Sequence, residues 1–284
     1  MRVRLGQARL DQARERFQEI ASLPDDRIEL AEAALAVAAE EYPNLDFDHY
    51  LEKLDDLALR AAPGVEAAPS LFEQVERLNH FLFVQSGFRG NQERYDDPRN
   101  SFLNDVLDRG IGIPITLSLV YVEVGRRLGL PVAGVGFPGH FLVRVEAPEV
   151  LVVDPFFGRL LSREECQQRL SRVLGTRVPL LPNVHLRAVT ARETLVRLIG
   201  NLKHLYLRER DFERALSCCN RILLLAPEIP VELRDRGLVY EQLECFGAAR
   251  ADLERFLELA PNDESADAMR KRLVELEPYS RSLH

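Results

Sequence analysis

Two side chains in this sequence have the types and spacing of a base and its orienting partner, His140 and Asp154. His140 opens an apolar run that ends near residue 145, and Asp154 closes a second run that starts near residue 150. The loop between the two arms covers residues 147–149. If the reversal centres on Ala147, His140 falls directly across from Asp154. Residues so paired in an antiparallel ladder share one face, with Cβ atoms about 4.5–5.5 Å apart. A carboxylate beside an imidazole selects its tautomer and stabilises its charged form, which is the arrangement of a general base. A slip of one residue would place the two on opposite faces. A purely structural hydrogen bond at the end of a sheet would use the same pair.

A base needs a nucleophile to act on. The cysteines are Cys166, Cys218, Cys219 and Cys245, so none precedes residue 166. None has metal-ligand spacing, and adjacent Cys218 and Cys219 make a poor disulfide pair. Reduced thiols within helices of a cytoplasmic protein, with no metal and no cofactor, are the expectation. Cys166 falls in the first turn of a helix that Ser162 and Glu165 start as a capping box, a place where a thiol can be activated. Thr116 and Ser118 carry hydroxyls, which would need a base within about 3.2 Å. Their competing roles are helix capping and packing.

The element that must position these groups is a helix over residues 114–128. Gly112 and Pro114 precede it, and Pro is well tolerated in a first turn. Leu117, Val120, Tyr121, Val124 and Leu128 recur at spacings of three and four, while Ile115, Leu119 and Val122 widen the stripe almost all round. Such a helix is buried at the centre of its domain. Gly129 and Pro131 end it. The loop over 87–99 has no apolar period and lies just before the core. It holds Asn91 and Tyr95, with Asn100 following, and a loop of this kind beside a cleft commonly sets specificity.

Four helices are predicted ahead of that loop: 7–21, 28–41, one capped by Asp46 and running to residue 59, and 70–83, with a loop over 61–69. From Asp25 to Arg60 there are eleven acidic residues and three basic ones, the pattern of solvated outer faces on a bundle. After the core, 175–189 reads as a linker. The chain then repeats at an offset of 34: Tyr206 with Tyr240, Phe212 with Phe246, Ala215 with Ala249, and Ala226–Pro227 with Ala260–Pro261. That period and those residue types are the tetratricopeptide signature, two stacked helices per unit. The units fall at about 196–229 and 230–263, with a closing helix over 265–276.

A helix entered through a tight turn, then R-x-L-G-L-P over 126–131, a strand, His140, and Asp154–Pro155 closing a further strand resembles the core of transglutaminases and papain-like peptidases. More narrowly, N-S-F-L-N-D-V-L-D-R, G-I-P-I-T-L-S, G-V-G-F-P-G-H-F-L-V-R and V-D-P-F-F-G resemble the SirB family, whose members follow such a core with tetratricopeptide repeats. The resemblance covers nearly the whole chain. It implies a domain over 1–190, with N-terminal helices to residue 86 and a core over 87–175, then a repeat region over 191–284. It implies a cleft near Asn91, Tyr95, Asn100, Pro114, Thr116, Ser118, Gly139, His140 and Asp154. It also implies a Cys at the start of the central helix, fifteen residues before Gly129, and here that position is Pro114. Proline supplies neither a nucleophile nor an amide N–H, so the catalytic set is incomplete.

The fold expected is α+β with helix in excess: an N-terminal bundle, a small antiparallel sheet against the central helix, then repeat helices. A formal charge of −8 argues against general nucleic-acid binding, and no apolar span is long enough to cross a membrane. Three functions remain open: a non-catalytic interaction or regulatory protein whose repeats take a protein or peptide partner, a hydrolase or acyltransferase using another nucleophile, and a binder of a small ligand in the old cleft. An open, polar cleft would favour the last of these, and a plugged one the first.

Overall fold

A computed structural model describes residues 2–280, with side chains placed from residue 10 to residue 279. The chain divides between Thr194 and Leu195 into two units. The first begins with α1 (Arg2–Ser22), α2 (Leu30–Ala38), α3 (Phe47–Glu66) and α4 (Leu71–Asn79), followed by a π-helical turn at His80–Gln85. Local signals start two of them. The Asp46 carboxylate accepts the His49 N–H at 3.1 Å, and the Ser70 hydroxyl accepts that of Glu73 at 3.3 Å.

α3 continues to Glu66, through the span expected as a loop. Pro63 has no N–H to donate back to residue 59, which ordinarily breaks a helix. Ala58, Ala61 and Val65 are buried along one face and hold the helix on course past it. The loop over 87–99 also gains structure. β1 (Arg89–Gly90) pairs in parallel with β2 (Ile111–Gly112), and α5 (Leu103–Arg109) lies between them in sequence. This ties the loop to the entrance of the central helix.

That helix is α6 (Pro114–Arg127), buried from Pro114 to Gly125. Glu123 sits within this stretch and is neutralised by Arg127 at 2.6 Å. β3 (Val132–Val135), β4 (Leu142–Val145), β5 (Leu151–Asp154) and β6 (Arg159–Leu161) then form an antiparallel meander. α6 lies against the face that carries Val132: a Cβ on Gly125 would come within 2.9 Å of that side chain. The other face, with Val135, Leu142, Val152 and Leu161, is covered by Cys166 and Leu170 of α7 (Arg163–Leu174) and by Leu180 and Leu186. Cover on both faces explains why the strands are nearly all apolar rather than alternating.

α7 begins with the expected capping box. Glu165 N–H donates to the Ser162 hydroxyl at 3.2 Å, and the Glu165 carboxylate accepts the Ser162 N–H at 2.8 Å. The stretch expected as a bare linker is a packed segment instead. It contains α8 (Pro182–His185), and Gln167 holds it by donating to Val178 O at 2.5 Å and accepting from Leu180 N at 2.6 Å. Leu180 and Leu186 are widely spaced and show no periodicity, so sequence gave no warning of their burial.

α9 (Ala191–Glu209) spans the division between the units. The second unit continues with α10 (Phe212–Leu225), α11 (Pro230–Gln242), α12 (Phe246–Leu259) and α13 (Ala266–Ser280). The helix pairs follow the 34-residue repeat, since α10 and α12 start 34 positions apart. α11 and α12 cross closely at Gly237, where a Cβ would stand 2.9 Å from Leu253. The architecture is therefore predominantly helical α+β, with repeat helices at the C-terminal end. Among the described residues, no helix is long and apolar enough to cross a membrane.

Candidate functional site

His140 is presented by a turn, not by a strand. Its N–H donates to Phe137 O at 3.0 Å. Pro138 and Gly139 occupy the two central positions, with Gly139 at φ +65°, the residue pattern of a type II turn. The ladder pairs Val143 with Val153 and Arg144 with Val152. The reversal thus centres on residue 148 rather than Ala147. Leu142 stands across from Asp154, and His140 lies two residues beyond the pairing first expected. A displacement of two preserves the face, so His140 reaches Asp154 diagonally.

The contact is 2.9 Å, between His140 Nε2 and Asp154 Oδ1. Asp154 is fully buried and has further partners. The Phe156 N–H donates to Oδ1 at 3.2 Å, and Arg169 Nη1 lies 2.8 Å from Oδ2. Burial alone pushes this carboxyl's pKa up. The His140 hydrogen bond and charge, with the Arg169 charge, outweigh burial and hold it below the usual carboxylate range. An ionised Asp154 can only accept, so this contact places a proton on His140 Nε2.

A cavity of about 760 Å³ opens beside the pair. His140, Gly139, Pro114 and Tyr95 line it, so four of the residues foreseen from sequence meet there. The others do not line it. Asn91 and Asn100 brace the loop that carries Tyr95: Asn100 Nδ2 donates to Arg94 O at 2.7 Å and Tyr95 O at 3.2 Å, and Asn91 Nδ2 donates to Asn100 Oδ1 at 3.1 Å. Thr116 Oγ1 donates to Asn100 O at 2.7 Å and accepts the Ile113 N–H at 3.1 Å, fastening the start of α6. Ser118 is buried, with its hydroxyl 3.5 Å from Phe141 O. Both hydroxyls serve packing and capping. Cys166 is in the core between α7 and the sheet, where burial pushes its thiol up to about 11, the reverse of activation.

The cavity also holds residues that the sequence did not single out: Phe156, Phe157, Arg159, Arg169 and Arg172. Phe156 packs on the loop backbone, since a Cβ on Gly90 would stand 2.5 Å from its ring. The Phe157 ring stacks on His140 at 6.3 Å between centroids and carries the Arg169 guanidinium at 5.7 Å. The signal for the aromatic pair was its place directly after Asp154–Pro155. Arg169 and Arg172 are three apart on α7, hence on one helix face, but only the fold turns that face to the cavity.

Among the described residues lining the cavity there is no Cys, Ser or Thr. The arrangement can orient a proton acceptor and hold a ligand, but it lacks an activated nucleophile at the helix start.

Comparisons with known proteins match both units. The family described as Transglutaminase-like superfamily matches residues 48–200, and the Tetratricopeptide repeat family matches residues 202–274. A UPF0162 protein of Xylella fastidiosa is 40% identical over 265 residues, covering 92% of this chain and 94% of that protein. Protein SirB1 of Salmonella typhimurium is 30% identical over 241 residues, covering 84% of this chain and 89% of that one. A crystal structure of menin aligns at a TM-score of 0.43 and 15% identity, over 95% of this chain and 76% of that one.

Proposed function

The chain belongs to the transglutaminase-like superfamily, in the family of the SirB1 and UPF0162 proteins, and on that premise we propose that it is a non-catalytic binding and interaction protein. One observation carries this reading. Pro114 stands at the first position of the central helix and faces the same cavity as His140, where the chemistry of the superfamily needs a thiolate beside helix amides. The base and its orienter remain, and the cavity stays open. Of the functions left by the sequence, an open cleft favours ligand binding over a plugged remnant. Tetratricopeptide repeats generally mediate protein–protein interactions, and here they are read as the surface for a protein or peptide partner. None of the four cysteines forms a disulfide, and the chain is read as working in a reducing, cytoplasmic setting.

The test assays the purified chain against amidase, esterase and amine-transfer substrates, beside His140→Ala and Pro114→Cys variants. No turnover by the natural sequence is expected, with a new reactive thiol in Pro114→Cys that depends on His140. Turnover by the natural sequence that disappears in His140→Ala would overturn the reading and restore a hydrolase or acyltransferase with another nucleophile.

A further inference from the structure

The cavity beside His140 is lined by Arg159, Arg169 and Arg172, and none of the described residues lining it is acidic. This concentration of cations stands out in a chain of net charge −8. The nearby carboxylates are already engaged. Asp154 is fully buried between His140 and Arg169. Glu165 pairs with Arg159 and also caps α7. Three guanidinium groups against two carboxylates leave an excess of about one positive charge, and Arg172 is exposed and outside both pairs. Each guanidinium carries five N–H donors in a planar fork that matches the oxygens of a carboxylate or phosphate.

The mouth of the cavity is aromatic. Phe157 is 50% exposed and Tyr95 49%. Phe157 is braced by His140 and Arg169, and Tyr95 meets Phe156 edge-on at 6.0 Å. Braced rings that keep this much surface in water offer flat faces to a planar group. A volume of about 760 Å³ is that of a small-molecule site.

Building on the reading of this cleft as a binding site, we propose that its ligand is a small organic anion, a phosphate or carboxylate carried on a planar ring. Arg172 holds the anionic group, joined by the donors of Arg159 other than the Nη1 that pairs with Glu165, and Phe157 and Tyr95 hold the ring. Arg169 is already committed to Asp154 and acts as part of the floor.

Calorimetric titration of the full chain with phenyl phosphate and with benzoate tests this. Inorganic phosphate lacks the ring and phenol lacks the charge, so they serve as controls. One of the two ring-bearing anions is expected to bind saturably, at least about tenfold more tightly than either control, and comparison of the two identifies the head group. Binding should weaken about tenfold or more in Arg159→Gln/Arg172→Gln, the loss expected for charge-assisted hydrogen bonds, and should fall as salt rises. Both arginines are exposed, and an unchanged melting temperature for the double variant would show that its fold is intact. Unchanged affinity in that folded variant would overturn the proposal, as would no binding of either anion at millimolar concentration. Phenol binding as tightly as phenyl phosphate would overturn the anion assignment yet leave the cleft a binding site. An acidic peptide that binds where neither small anion does would overturn it in favour of a polypeptide ligand. Turnover of an ester or amide in this cleft would instead overturn the non-catalytic reading.

Discussion

Replacing Asp154 with Ala removes a buried carboxylate and strands everything it holds. Two hydrogen bonds and one ion pair disappear: the bonds from His140 Nε2 at 2.9 Å and the Phe156 N–H at 3.2 Å, and the pair with Arg169 at 2.8 Å. Hydrogen bonds to a charged group each contribute about 1.5–3 kcal/mol. The stranded partners are not fully buried, since the His140 side chain is 12% exposed and that of Arg169 20%. Water can therefore recover part of the loss. A total of about 3–4 kcal/mol follows, within the range of roughly 3–5 kcal/mol for breaking a buried pair by removing one partner. For a unit of this size that corresponds to a fall in melting temperature of roughly 6–16 °C. Asp154→Asn keeps the volume but turns an amide N–H either toward Arg169 or toward the His140 and Phe156 donors, so it should lose a comparable amount. The assay is denaturant unfolding followed by circular dichroism at several pH values. Because the folded-state pKa of Asp154 is depressed, its ionisation contributes stability that is complete above the usual carboxylate range, near pH 4, and is lost as pH falls through the folded pKa. The gap between the natural chain and Asp154→Asn should shrink below about pH 4. A cost under about 1 kcal/mol for Asp154→Ala, or a gap that does not narrow in acid, would refute the argument that this buried carboxylate is a charged anchor.

Native alkylation should be nearly confined to Cys245, the exposed thiol, because Cys166 and Cys218 are buried and burial pushes Cys219 up to about 12. Mass spectrometry after brief iodoacetamide treatment at pH 8 should show one adduct per chain, and none in Cys245→Ser. In the second unit, Lys203 is 1% exposed and bonded to Glu232 at 2.7 and 2.8 Å and to Asp235 at 2.8 Å. Lys203→Met leaves two carboxylates facing each other and should cost about 3–5 kcal/mol in urea unfolding, and a neutral result would show that water relieves them. Gly139 has φ +65°, and a Cβ there would stand 3.2 Å from Val173. Gly139→Ala should therefore lose about 1–2 kcal/mol in the same measurement.

The parts legible in the sequence are those encoded by near neighbours. The central helix follows from apolar spacings of three and four between Pro114 and Leu128, and the start of α7 from Ser162 and Glu165. The repeat helices follow from a 34-residue offset. Each signal depends on residues within a turn or on a pattern that recurs unchanged, so no knowledge of the rest of the fold is needed. His140 and Asp154 could be paired because the two arms of a hairpin are close in sequence. Even there the register was misplaced by two, and the pair survived because strand faces alternate with a period of two. Burial decided the remainder. Pro63 passes inside a helix because Ala61 and Val65 are packed, and the stretch over 175–189 closes the sheet because Leu180 and Leu186 find apolar partners. The charge and aromatic character of the cleft was also settled by the fold. Arg169 and Arg172 belong to one face of α7, and that face meets His140 only because Cys166 and Leu170, on the adjoining side of the helix, are drawn onto the sheet. Local spacing specifies which side chains share a face, but what that face meets depends on how distant apolar surfaces bury one another.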